Sequence, residues 1–123
     1  MEIYNSTRNT RLAENVIMAD NFFLRLRGLL GKKKLPRGWC MALKPCNSVH
    51  TMFMAFDLDL LFIDKKNRVV ELKTNMPPYR FSKIIQDSHM VLEFPAGSLE
   101  QTGTTIGDKL IFTDKKNYAG VSS

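Results

Sequence analysis

Residues 45–64, PCNSVHTMFMAFDLDLLFID, bring together a cysteine, a histidine, methionines and three carboxylates: Cys46, His50, Met52, Met54, Asp57, Asp59 and Asp64. Nucleophilic catalysis by a thiol needs a base beside it, and Cys46 and His50 stand four residues apart. In an extended chain that spacing places them on one face but about 13 Å apart, so a bend after Pro45 is required for contact. Soft ligands that converge can hold a transition metal, and Cys40, Cys46 and His50, with Met52, form the candidate set. Buried free cysteines and a turn-capping histidine account for the same residues without chemistry. No catalytic set and no metal site is assigned, and no cofactor is expected.

Asp57 and Asp59 fall on one face of an extended segment, about 7 Å apart. That separation is compatible with paired-carboxylate hydrolysis, and equally with a solvent-facing strand start. Leu61 and Ile63 follow on the same side, so burial deepens along the strand and Asp59 needs a partner. Arg80, in the rigid PPYR segment, is the candidate, because a guanidinium grips a carboxylate through two parallel hydrogen bonds.

These groups must be held by elements that the pattern outlines. Met54, Phe56, Leu58, Leu60 and Phe62 alternate along one strand face. A hairpin joins 57–63 to 68–74 across the turn Asp64-Lys65-Lys66-Asn67. Further strands are expected at 1–4, 15–18, 39–43, 49–54, 89–94 and 109–113. Phe22, Phe23, Leu26, Leu29 and Leu30 recur at helical spacing between Asp20 and Gly31, which predicts an amphipathic helix of about three turns. PAGSLEQTG, residues 95–103, suits one or two further helical turns. The expected fold is α+β and β-rich: a small closed or half-closed, mostly antiparallel, barrel-like sheet with one main covering helix.

The chain has 123 residues, 44% of them hydrophobic and 24% charged, which fits one soluble domain over 1–123 with its core at 10–113 and a frayed tail from 114. No run approaches the length that spans a bilayer, and the polar start MEIYNSTRNT has no secretory pattern, so a cytoplasmic monomer is expected. The formal charge of +6 invites a polyanion, but the basic residues are scattered and several sit in turns. Nucleic acid is therefore not the expected partner.

GLLG at 28–31, VHTMFM at 49–54, DLLFID at 59–64, VVEL at 69–72, PPYR at 77–80, VLEFPAG at 91–97 and IGDKL at 106–110 occur in this order. The ordered set resembles the prokaryotic family called domain of unknown function 192, over roughly residues 10–113. That family has a compact β-rich fold with small helices and no established activity. The resemblance places His50, Thr51, Asp59 and Arg80 in one polar cluster, and makes Glu93 and Asp108 structural anchors. Many members carry a basic residue after the signature methionine, where this chain has Ala55.

Two functional classes follow. The first is a non-enzymatic binding module that holds a small molecule or an acidic partner segment in a groove walled by His50, Thr51, Asp59, Tyr79 and Arg80. The second is a hydrolase or thiol-dependent enzyme that uses Cys46 and His50. Nucleic-acid binding through the net positive charge is a weaker third. The absence of a Gly-x-Ser-x-Gly, Walker or His-Glu-x-x-His pattern favours the binding module.

Overall fold

A computed structural model describes residues 1–19, 35–44, 57–77 and 84–114. Among these residues every regular element is a strand: β1 (Glu2–Asn5), β2 (Thr10–Ala13), β3 (Asn15–Ala19), β4 (Trp39–Leu43), β5 (Leu58–Ile63), β6 (Val69–Met76), β7 (Met90–Pro95) and β8 (Leu110–Thr113). They form a three-stranded sheet in the order β2-β1-β8 and a five-stranded sheet in the order β3-β4-β7-β5-β6. β3 and β4 run parallel, and the other strand pairs are antiparallel.

This arrangement corrects the expected α+β barrel. The strands make two separate sheets that do not close on each other, and among the described residues the class is all-β. The covering helix expected between Asp20 and Gly31 lies outside the described residues, as does the extended segment expected at 49–54. Residues 96–103, expected to be helical, are consecutive turns. Ser98, Glu100 and Thr102 each donate a backbone N–H three residues back, to Pro95, Gly97 and Leu99. Gly97 and Gly103 have φ of +89° and +71°, a left-handed conformation that breaks a helix.

The expected hairpin is present as β5 and β6. Its turn is closed by Asp64, whose Oδ1 accepts the N–H of Lys66 and of Arg68, both at 2.9 Å. Asn67 in that turn takes φ of +63°, a region an Asn side chain tolerates.

Two apolar clusters flank the larger sheet. One joins Ile3, Leu12 and Leu110 of the small sheet to Cys40, Leu61, Ile63, Leu92 and Phe94 of the large one. The other gathers Met41, Leu43, Leu58, Leu60, Phe62 and Val91 on the opposite face. β5 is thus buried on both sides, which is why it reads as a nearly unbroken apolar run. One polar side chain, Asp59, interrupts that run.

Candidate functional site

Asp59 sits in β5 between β7 and β6 and is 1% exposed. A buried carboxylate is costly unless it is hydrogen-bonded, and the local sheet geometry supplies the donors. Leu58 stands opposite Met76 and Leu60 opposite Lys73, so the register shifts between them and both Thr74 and Asn75 face the single residue Asp59. This is a β-bulge, and a bulge leaves a backbone group outside the ladder. Asn75 takes φ of +53° there. Its N–H is aimed at Asp59 Oδ1, 2.9 Å away. The other carboxylate oxygen, Oδ2, accepts the N–H of Gly97 and of Leu99, each at 3.1 Å. Asp59 therefore ties the bulge of β6 to the turns that follow β7.

These two structures form the walls of a cleft of about 450 Å³. Leu72, Thr74 and Asn75 line it from β6, and Gly97, Leu99, Glu100, Gly103 and Thr104 from the turns, with Asp59 between them. Thr104 is itself fixed, since its hydroxyl accepts Asn5 Nδ2 at 3.0 Å and lies 2.7 Å from the Thr102 hydroxyl. The side chains offer hydroxyl, amide and carboxylate groups beside the methyls of Leu72 and Leu99. Such a lining offers hydrogen-bonding groups with apolar contact beside them.

Of the residues expected to act, Asp59 is placed in this cleft. His50, Thr51, Tyr79, Arg80 and Cys46 lie outside the described residues, and with them the proposed Asp59–Arg80 pair and Cys46–His50 couple. The partners of Asp59 among the described residues are backbone amides. Asp57 is exposed and precedes β5, so the two aspartates occupy unlike environments. Cys40 is wholly buried in β4 within the core shared by the sheets. Burial first, and then the charge of Glu93, push its thiol well above the ordinary value, against a smaller opposing effect of a backbone hydrogen bond. A thiol held protonated in this way is a poor nucleophile and a poor metal ligand.

Glu93 and Asp108 are both buried. Glu93 lies in β7, level with Met41 and Leu60 of the flanking strands. Asp108 Oδ2 accepts hydrogen bonds from Asn5 Nδ2 at 2.9 Å, the Thr105 N–H at 3.0 Å and Arg8 Nε at 3.1 Å. Burial alone raises its carboxyl; the bonds from Asn5, Thr105 and Arg8, and the Arg8 charge, outweigh it and hold the group below its ordinary value. Asp108 thereby joins the loop before β8 to the loop after β1.

Apart from Asp59, none of the residues that line this cleft was expected at a site from the sequence. One signal was legible: two glycines, Gly97 and Gly103, bracket a polar segment after a strand. That marks a shaped loop, but not what it faces.

The family model for DUF192, described as "Uncharacterized ACR", matches residues 3–112. A UPF0127 protein of Pyrococcus furiosus is 32% identical over 111 residues, covering 86% of this chain and 93% of that protein. Another, from Pyrococcus horikoshii, is 31% identical over 113 residues, covering 88% of this chain and 96% of its own length. Among solved structures, a protein of unknown function from Novosphingobium aromaticivorans has the same fold, with a TM-score of 0.72 at 19% identity over 90% of this chain and 82% of that one. With nearly its whole length matched, the chain belongs to the DUF192 family.

Proposed function

We propose that this protein is a non-enzymatic binding module whose ligand, a small polar molecule, sits in the cleft floored by Asp59. The observation that carries the reading is the tie between Asp59 and the three amides of Asn75, Gly97 and Leu99. Both oxygens of the carboxylate are committed to holding the walls. The group holds the bulge of β6 and the turns after β7 in place and so gives the cleft its shape. Recognition then falls to Thr74, Asn75, Glu100 and Thr104, which line the cleft on rigid supports.

The test is a fragment and metabolite screen by ligand-observed NMR, followed by amide shift mapping on labelled protein. Binders should move the resonances of Thr74, Asn75, Gly97, Glu100 and Gly103, and Glu100→Ala should weaken them about tenfold or more. Binders that map elsewhere, or that Glu100→Ala and Thr74→Val leave untouched, would refute the assignment.

A further inference from the structure

The basic residues that look scattered along the chain are partly gathered by the fold. The β5–β6 turn, with Lys65 and Lys66 at its tip, lies against the segment leading into β8: Leu110 donates its N–H to the Asn67 carbonyl at 2.8 Å, and Val69 donates to the Asp108 carbonyl at 2.9 Å. Arg68 and Lys109 form an antiparallel bridge, directly opposite each other. The Lys109 ammonium donates to the Lys66 carbonyl. Residues 6–8 complete the edge, since the Ser6 hydroxyl donates to the Lys109 carbonyl at 3.1 Å and the Thr7 hydroxyl accepts the Lys109 N–H at 2.9 Å.

The four cations of this ridge lack carboxylate partners among the described residues, where the ion pairs belong to Arg8 and Arg11. The nearby acids are used otherwise. Asp64 Oδ1 accepts backbone N–H groups of its own turn, and Asp108 holds Arg8. Like charges set directly opposite across a strand pair destabilise it. The fold bears that cost at Arg68 and Lys109 with no ion pair to either side chain among the described residues, and an external anion would relieve it.

We infer that Lys65, Lys66, Arg68 and Lys109, flanked by the Ser6 and Thr7 hydroxyls, form a contact surface for the phosphate backbone of double-stranded nucleic acid. Cations and hydroxyls together suit phosphate oxygens and read no base sequence. Residues 6–8, 64–68 and 109 contain no aromatic side chain, and single strands are held by stacking on aromatics. The duplex is therefore the partner that fits. This surface is separate from the Asp59 cleft, and the two readings stand or fall independently.

The experiment is a fluorescence anisotropy titration of the full chain with a 20-base-pair DNA duplex across a salt series. Four phosphates neutralised give a slope of log K against log salt of about −3.6. The variant Lys65→Gln, Lys66→Gln, Arg68→Gln removes three of the charges at exposed positions, and should lower affinity at least tenfold and flatten the slope to about −1. A matched variant, Arg37→Gln, Lys44→Gln, Lys73→Gln, removes the same charge at exposed positions elsewhere and should change affinity by less than about threefold. No binding in low salt, or equal losses in the two variants, would overturn the proposal. So would tighter binding to a single strand of equal length, or to anionic vesicles, than to the duplex.

Discussion

The Asn75 N–H meets Asp59 Oδ1 at 2.9 Å where two residues of β6 stand opposite one of β5. The irregularity in the strand and the buried carboxylate explain each other. A bulge exposes an amide that the ladder cannot use, and a carboxylate that must be buried takes it. Through its second oxygen, Asp59 passes the constraint to Gly97 and Leu99, so one side chain fixes both walls of the cleft.

Removing that side chain should be severe. In Asp59→Ala the amides of Asn75, Gly97 and Leu99 lose their acceptor together, and the loss should be about 3 kcal/mol or more, since bonds to a charged acceptor are each worth roughly 1.5–3 kcal/mol. Urea denaturation with an unchanged m-value checks it. A loss below about 1 kcal/mol would show that water replaces the carboxylate without penalty.

Asn75 tests the backbone half of the same relationship. Its φ of +53° is strained for an ordinary side chain. Asn75→Ala should therefore be destabilising by about 1 kcal/mol, while Asn75→Gly should match or exceed the parent. Thermal melts of the pair decide it, and the reverse order would place the strain elsewhere.

Asp108 predicts a pH dependence on the acid side. Its folded value lies below its ordinary 3.8. The stability it contributes is complete above the unfolded value and is lost as pH falls through 3.8 towards the depressed folded value. Between about pH 5 and pH 2.5, Asp108→Asn should lose stability less steeply than the parent. Parallel curves for the two proteins would assign the acid sensitivity to other groups.

Cys40 should be inert in the native state, because its thiol is wholly buried and held protonated. Alkylation by iodoacetamide near neutral pH, read by peptide mapping so that Cys46 is scored separately, should follow the rate of unfolding. Rapid native labelling of Cys40 would reopen its candidacy as a ligand or nucleophile.

Thr113 offers a substitution in the opposite direction. Its buried hydroxyl and Glu2 Oε2, cross-strand neighbours between β1 and β8, are without hydrogen-bond partners among the described residues. Thr113→Val keeps the shape and removes the unpaired hydroxyl, so stability should stay level or rise by up to about 1 kcal/mol. A clear loss in chemical denaturation would mean that an ordered water already satisfies the group.

What is local in this protein is legible in its residues. Alternation and turn chemistry placed β4, β5, β6, β7 and β8 to within a few residues, because side-chain period and the DKKN turn act over neighbouring positions. The pattern also marked Asp59 as buried, since Leu61 and Ile63 share its face. β2 escaped notice because TRLA is short and polar at one end, and becomes a strand by pairing with β1. The split of the strands into two sheets arises in the folded chain, since hydrogen-bond partners are chosen across its whole length while the pattern records no more than burial. The same holds for the candidate site. Asn75 and Gly97 lie 16 and 38 residues from Asp59, and Lys109 lies 43 from Lys66. A residue's type declares the partner chemistry it needs. Which distant backbone or side chain answers that need is settled by sheet register and loop docking, and these exist only once the core has closed.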